Sequence, residues 1–118
     1  PYTKEQLFRQ LDNILGTERD FTIKTIDNIR IKLNFDDVFY FESHGRYIIA
    51  HTLHGEFMTR QYRLKQILEL FPAYFEQCHK SYIVNTRYIE LIDPYAHLIS
   101  LKKTKDKVPC NRNYRYIK

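Results

Sequence analysis

The segment Cys78-His79-Lys80-Ser81-Tyr82-Ile83-Val84-Asn85 joins a short polar turn directly to an apolar strand. Tyr82, Ile83 and Val84 favour a buried, pleated environment, and Asn85 is typical of the end of a strand. The four residues before them have the composition of an exposed turn. The segment therefore predicts a surface loop that is held in place by a strand of the core.

The composition is that of one globular domain with a basic charge. The chain has 118 residues, which is enough for one domain with its own core and too few for two ordinary domains. Its net charge of +5 and pI near 9.2 favour an anionic partner, with nucleic acid as the first candidate and a phospholipid surface as the second. We see no apolar run of about 20 residues and no secretory leader. These features predict a soluble, cytoplasmic protein.

A short amphipathic helix is expected near the start of the chain. Residues 3–6 resemble a capping box, and apolar residues then recur on one helical face as far as Gly16. We interpret residues 1–19 as a linker helix that was preceded by another domain in a longer protein. The alternative is that the apolar face of this helix packs on the core of the domain itself.

From Phe21 onward the apolar residues alternate with a period of two, which indicates strands. Asp27 and Asn28 mark the turn of a first hairpin. A helix is predicted at residues 63–70 and ends at Pro72. The predicted strands are 21–26, 29–33, 38–43, 47–52, 56–60, 82–85, 88–92, 97–101 and 108–110. This order predicts an all-β fold with short helices, followed by a turn or two of helix in the tail.

The order and wording of these segments closely resemble the LytTR DNA-binding domain at the carboxyl end of bacterial response regulators. The resemblance covers residues 21–118. Five groups carry it: the strand 38–43, Phe57 ahead of a helix with Leu64 and Leu68, Tyr74 and Phe75 ahead of 78–85, Ile89 with Ile92, and residues 108–112. Cys78 and His79 further resemble the subgroup that responds to peptide pheromones in Gram-positive bacteria. Asn111 departs from the serine that is frequent in the family.

The resemblance implies an elongated fold of about ten strands that reaches DNA through loops rather than a recognition helix. Such domains place side chains in successive major grooves and bind direct repeats as dimers. The chain would then be the effector domain of a two-component response regulator in quorum sensing, with a receiver domain ahead of residues 1–19 and the DNA-binding domain at residues 20–118. The reading loops carried over to this sequence are 43–46, 78–81 and 111–115.

Four residues in these loops are predicted to contact bases. Arg46 and Arg112 can each donate a bidentate fork to guanine O6 and N7, and Lys80 can donate to the same edge. A good pair of this kind contributes about 1 to 3 kcal/mol of discrimination. His44, at a loop tip, is the fourth. The alternative for each residue is an ordinary solvated side chain.

Other polar residues are predicted to hold the DNA backbone or to support the loops. Arg60, Gln61 and Arg63 stand at the start of the internal helix, where side chains and free N–H groups can hold phosphates. Gly45 allows a close approach because it has no Cβ. His79 is expected to hydrogen-bond the backbone beneath its loop, with a DNA contact as the alternative. The remaining members are Ser43, Ser81, Asn111, Asn113 and Arg115.

For two polar residues, a structural role is the first prediction. Ser81 and Asn85 are predicted to cap turns, with phosphate contact second. A different class of function also stays open, because exposed tyrosines and basic loops on a β surface suit unpaired RNA bases or a protein partner.

Enzymatic and metal-binding interpretations find little support. Cys78 and His79 are adjacent, so their side chains project apart, and no carboxylate lies near them in sequence. A zinc site that combined them with Cys110 would lack paired CxxC-like spacing. Three further histidines show no ligand spacing: His51, His54 and His97. We therefore expect no enzyme activity, no cofactor and no metal.

The two cysteines, Cys78 and Cys110, each border a predicted reading loop. They are too few for a disulfide framework, so free thiols are expected. They are also candidates for a redox site, because oxidation would distort the surface beside them. The alternative is two inert thiols.

Overall fold

The computed structural model describes residues 20–112 and residue 114. Within them lie ten strands, two 3-10 helices and one α-helix. The strands are β1 (Asp20–Lys24), β2 (Arg30–Asn34), β3 (Val38–His44), β4 (Tyr47–Thr52), β5 (Gly55–Thr59), β6 (Phe75–His79), β7 (Tyr82–Asn85), β8 (Ile89–Asp93), β9 (Leu98–Leu101) and β10 (Lys107–Pro109). The helices are α1 (Leu64–Leu70) and the 3-10 helices Phe35–Asp37 and Thr86–Tyr88. The mostly-β fold class is confirmed.

A five-stranded antiparallel sheet with the order β5-β4-β3-β7-β6 forms the middle of the fold. Strands β8 to β10 form a second sheet with the order β10-β9-β8, and β1 pairs with β2 in a hairpin. An isolated bridge between Thr25 and Thr59 joins the hairpin to the end of β5. The sequence predicted a first hairpin, a three-stranded meander and a helix at residues 63–70, and these agree with β1-β2, β3-β4-β5 and α1.

The five-stranded sheet is covered on both faces. Ile83 of β7 lies in a core cluster with the β1-β2 hairpin and α1, and its neighbour Val84 lies in a second cluster with β9 and β10. Phe41 and Tyr40 of β3 divide between the two clusters in the same way. Successive strand side chains point to opposite faces, so a strand covered on both sides has a continuous apolar run. This explains why apolar and polar residues do not alternate in the first half of β3.

Phe71, the residue that follows α1, is the centre of the first core. Its ring lies 4.8 to 5.9 Å, between centroids, from five other aromatic rings. These rings, which with Phe71 form the aromatic cluster, belong to Phe21, Phe35, Phe41, Tyr62 and Phe75. Most of the pairs are edge-to-face, an arrangement that adds to the energy of burial.

Asn85 ends β7 and is completely buried. Its side-chain oxygen accepts the Arg87 N–H at 3.0 Å, and its Nδ2 donates to the Val38 carbonyl at 2.9 Å. The first contact caps the 3-10 helix Thr86–Tyr88, which confirms the predicted capping role. The second ties the end of β7 to the start of β3, because both polar groups of this amide must be satisfied in the core.

Some predicted details differ. The sequence predicts strand positions for Ile26 and Ile29, but both lie outside the strands. They are 41% and 57% exposed and flank a turn in which Asn28 has φ 65°. The predicted linker helix at residues 1–19 and most of the predicted helical tail lie outside the described residues. In the part of the chain that the structure describes, no helix is both long and apolar enough to span a membrane.

Candidate nucleic-acid interface

The β3-β4 turn carries the first predicted reading loop. His44, the last residue of β3, pairs with Tyr47, the first residue of β4, and Gly45 and Arg46 lie between them. Gly45 has φ 64°, a left-handed backbone that other residues adopt only with strain. A Cβ added there would meet no atom within 4 Å in the protein, so the backbone angle is what requires glycine. His44 and Arg46 are exposed.

The β6-β7 turn carries only part of the second predicted loop: Cys78 and His79 belong to β6, a strand that was not predicted, and Lys80 and Ser81 form the turn. His79 Nδ1 accepts the Ser81 N–H at 3.2 Å, which confirms the predicted hydrogen bond beneath this loop. Lys80 at the tip is exposed, and its carbonyl accepts a hydrogen bond from Gln77 at 3.4 Å. Ser81 was predicted to cap a turn through its side chain. Among the described residues, its hydrogen bonds are made by the backbone N–H and carbonyl and not by the hydroxyl, so this prediction is wrong.

The third loop follows β10. Asn111 and Arg112 are exposed, and Tyr114 is buried with its hydroxyl 3.1 Å from Glu76 on β6. The Tyr114 N–H donates to the Asn111 carbonyl at 3.0 Å, which closes a turn around Arg112. The predicted contact residues Asn113 and Arg115 lie outside the described residues.

Two backbone hydrogen bonds bring the three loops together. The Ser43 N–H donates to the Ser81 carbonyl at 2.8 Å, and the Asn111 N–H donates to the Cys78 carbonyl at 2.7 Å. We call the resulting surface the loop edge, defined as the β3-β4 turn, the β6-β7 turn and Asn111 with Arg112. The pairing of β3 with β7 places both turns at the same end of the sheet. Sequence alone did not reveal these connections.

Two further arginines lie beside the loop edge. Arg60 follows β5 and lies over the Tyr47 ring at 5.0 Å, with Nη2 donating to the Tyr47 hydroxyl at 3.0 Å. Arg63 precedes α1, and its N–H donates to the side chain of Gln66 at 2.9 Å. These arginines, with Ser43 and Arg46, line a groove of about 500 Å³. Tyr47, which the sequence analysis did not single out, therefore orients a predicted phosphate contact.

Gln61 has a structural role that the sequence analysis missed. Its side-chain oxygen accepts the Lys24 N–H at 2.9 Å, and its own N–H donates to Thr59 Oγ1 at 3.0 Å. Thr59 Oγ1 in turn donates to the Lys24 carbonyl at 2.6 Å. These contacts fasten the end of β1 to the end of β5. A sequence signal for them is lacking, because Lys24 and Gln61 are 37 residues apart.

Positive charge on and beside the loop edge is free of carboxylate partners. Within the described residues, none of its five cations makes an ion pair, and all five are exposed. They are Arg46, Arg60, Arg63, Lys80 and Arg112. Cations without partners keep their full electrostatic attraction for an anion. The surface suits a polyanion such as nucleic acid.

The two cysteines lie under the loop edge and not on it. Both are buried, and the Cys78 thiol lies 3.4 Å from the Pro109 carbonyl. Burial raises the pKa of Cys78 to about 12 and also raises the pKa of Cys110. The thiolate is the reactive form, so burial opposes reaction at both residues.

The chain is similar to known DNA-binding domains and transcriptional regulators. Residues 28–116 match the LytTr DNA-binding domain. The transcriptional regulatory protein YpdB of Escherichia coli strain K12 is 26% identical over 101 residues, which cover 82% of this chain and 41% of that protein. The accessory gene regulator protein A of Staphylococcus aureus is 29% identical over 108 residues, 85% of this chain and 42% of that protein. The chain thus spans about two fifths of the length of these curated relatives.

The fold also has a counterpart among solved structures. A LytTr DNA-binding domain from Bacillus cereus superposes with a TM-score of 0.71 at 28% identity, covering 84% of this chain and 92% of that one. The family match extends over most of the sequence and includes the whole of the loop edge. On both grounds, this chain belongs to the family of LytTr DNA-binding domains.

Proposed function

We propose that this domain binds specific double-stranded DNA through the loop edge, as the effector domain of a transcriptional response regulator. Membership of the LytTr family supports DNA binding. The observation that carries the loop-based mode is the pair of hydrogen bonds from Ser43 to Ser81 and from Asn111 to Cys78. They hold three basic loops in fixed positions, so the side chains are presented to DNA with little loss of conformational freedom.

Bases are read by the loop tips in this proposal. Arg46 and Arg112 donate to guanine O6 and N7, Lys80 donates to the same kind of edge, and His44 contacts a neighbouring base. A two-residue turn is narrow enough to enter the major groove, which is about 12 Å wide. The loops occupy successive major grooves along the duplex.

The phosphates are held by residues beside the tips. Arg60 and Arg63 line the groove next to the β3-β4 turn, where they fix register on the DNA backbone without reading sequence. Ser43, Ser81 and Asn111 support the tips through their backbone hydrogen bonds. Gln61, His79, Asn113 and Arg115 complete the proposed supporting set.

The proposed assembly is a dimer on direct repeats, with a receiver domain ahead of this chain in the full-length regulator. The greater length of the curated relatives supports an additional domain, since the chain covers 41% and 42% of them. A role in peptide-pheromone signalling is the finest part of the proposal. It is supported by Cys78 and His79 and by the similarity to accessory gene regulator protein A.

Selection of bound duplexes from a random pool tests the proposal. We expect a repeated motif in which the half-sites are separated by whole helical turns of about 10.5 base pairs. Binding to a selected duplex should then be measured at fixed salt, because phosphate contacts make affinity depend strongly on ionic strength.

The controls separate DNA reading from general attraction to nucleic acid. Unlabelled selected duplex should displace the labelled duplex far better than random duplex or single-stranded RNA. If single-stranded RNA competed as well as the selected duplex, the RNA-binding alternative would replace the present one. If no motif emerged from the selection, sequence-specific binding would be rejected.

A further inference from the structure

A histidine and two carboxylates converge at the end of the sheet opposite to the loop edge. His51 of β4 pairs with Glu56 of β5, and Asp106 immediately precedes β10. One ligand atom from each of these three residues lies within 4.8 Å of the other two. The loop edge lies at the other end of β4, beyond Tyr47. The three residues are called the His51 cluster below.

The His51 ring is fixed with one nitrogen facing the two carboxylates. Its side chain is 9% exposed, its ring stacks on Tyr40 at 4.0 Å, and its Nε2 lies 2.9 Å from Glu42 Oε1. Nδ1 then lies 2.8 Å from Glu56 Oε2 and 4.0 Å from Asp106 Oδ2. Neither contact has hydrogen-bond geometry, so Nδ1 is buried without a hydrogen-bond partner among the described residues. A buried polar atom in this state is costly unless another ligand occupies it.

Neighbouring hydrogen bonds prepare both kinds of ligand. When Nε2 donates to Glu42, the other ring nitrogen carries a lone pair that faces Glu56 and Asp106. The Tyr40 hydroxyl donates to Asp106 Oδ2 at 3.2 Å. Carboxylate and hydroxyl partners that orient ligands in this way are regular features around protein-bound metals.

We propose that the His51 cluster binds a divalent first-row transition-metal ion through His51 Nδ1, Glu56 and Asp106, with Zn²⁺ as the test ion. One imidazole with two carboxylates suits this class of metal, whereas Mg²⁺ and Ca²⁺ prefer oxygen ligands alone. Ligand atoms that bind one zinc ion are about 3.5 Å apart, given bond lengths of about 2.0 to 2.2 Å. Glu56 and Asp106 have side chains that are 65% and 46% exposed, so both can turn toward the ion.

The ion has a structural role in this proposal. It joins β4 and β5 of the five-stranded sheet to the segment that enters β10, and β10 belongs to the other sheet. His51 shows no ligand spacing in the sequence, because its partners come from another strand and from a loop. Tyr40, which stacks on His51, and Asp106 are 66 residues apart.

Calorimetric titration of the reduced protein with Zn²⁺ tests the site. We expect one ion per chain, and we expect Glu56→Gln and Asp106→Asn each to weaken binding by about tenfold or more. Both substitutions keep side-chain size and affect exposed groups, so the variants should fold. Glu90→Gln and His54→Gln are the matched controls, since they change an exposed carboxylate and an exposed histidine outside the cluster.

Two spectroscopic measurements identify the ligands. On addition of Zn²⁺, the ¹⁵N resonance of His51 Nδ1 should shift while Nε2 remains bonded to Glu42. Addition of Co²⁺ should give no thiolate-to-metal absorption band, which excludes Cys78 and Cys110 as ligands.

Several outcomes would overturn the proposal. They are the absence of Zn²⁺ binding, equal binding by the wild-type protein and both carboxylate variants, an equal loss in His54→Gln, and a thiolate band with Co²⁺. Protonation of both His51 nitrogens with no response to Zn²⁺ would also overturn it, since the residue would then be an imidazolium between Glu42 and Glu56.

Discussion

The aromatic cluster around Phe71 and the loop edge share strands β3 and β6, yet the first region buries its side chains and the second exposes them. Phe71 is 5% exposed and meets five rings, whereas Arg46, Lys80 and Arg112 face solvent without ion pairs within the described residues. The first region gains stability from burial, and the second keeps charge available for a ligand. Substitutions in the two regions should therefore affect different measurements.

Phe71→Ala should produce the largest effect. It removes a ring from the middle of the aromatic cluster, and we expect a loss of about 3 to 5 kcal/mol in the free energy of unfolding. Urea denaturation followed by circular dichroism measures this loss. The folded fraction should bind a selected duplex with unchanged preference; a changed preference would mean that the aromatic cluster and the loop edge are coupled.

Arg112→Ala and Arg46→Ala should have the next largest effects, on binding and not on stability. Each should lower the discrimination between selected and random duplex by about 1 to 3 kcal/mol, because the proposed bidentate contact to guanine would be lost. Fluorescence anisotropy with both duplexes gives the difference. Stability should change by less than about 0.5 kcal/mol, as is usual for exposed positions.

Two matched arginines refine this prediction. Arg60→Ala should weaken binding to all duplexes and reduce the salt slope by about 1, because the proposed phosphate contact would be lost. Arg87→Ala should leave binding unchanged, since Arg87 follows β7 at the end away from the loop edge and pairs with Asp36 at 3.1 Å. If all four substitutions caused equal losses of affinity for selected and random DNA, the protein would bind DNA only through its overall positive charge.

Gly45→Ala should have a smaller effect, in which a substitution in the loop edge lowers the stability of the fold. The left-handed φ of 64° at this position costs an alanine about 1 to 2 kcal/mol of stability, and no steric clash adds to it. Gly45→Asn should retain more stability, because asparagine adopts this backbone more readily. Thermal unfolding of the two variants checks the order, and an equal loss in both would point to a cause other than the backbone angle.

Cys78 should show the smallest effect. Its raised pKa, about 12, predicts slow alkylation near pH 8 in the folded protein and much faster alkylation in urea. Since the folded pKa is raised above the unfolded value, this thiol stabilises the fold below about pH 9, and that contribution is lost as the pH rises toward 12.

Mass spectrometry of labelled peptides distinguishes Cys78 from Cys110 in that experiment. Peroxide treatment should leave duplex affinity unchanged. Rapid labelling of Cys78 together with a loss of affinity would instead make the two cysteines a redox site.

The sequence predicted local structure well and long-range contacts poorly. The helix α1 and the turn at Gly45 follow from apolar spacing and from a glycine between two strands, both of which are visible in a short window. The 3-10 helix Thr86–Tyr88 depends on Asn85, whose second partner, the Val38 carbonyl, is 47 residues away. The capping role of Asn85 was predicted, but its link to β3 needed the fold.

The candidate site shows the same difference between local features, which were predicted, and long-range contacts, which were not. Arginine, lysine and histidine in turns were recognisable from composition, and the resemblance to a family assigned them to reading loops. The contact of Arg60 with Tyr47 and the His51 cluster were missed, because pairing between strands decides which side chains meet.

The pairing of β3 with β7 has a consequence for the order of folding. The hairpins β3-β4 and β6-β7 can each form from neighbouring residues, whereas Glu42 and Tyr82, which pair between them, are 40 residues apart. Closing so long a loop costs entropy before its contacts form, which slows folding. We therefore expect the two hairpins to form early and to join late. The loop edge, which is the proposed DNA-binding surface, is complete only after this last step, so under that proposal partly folded chains would not compete for DNA sites.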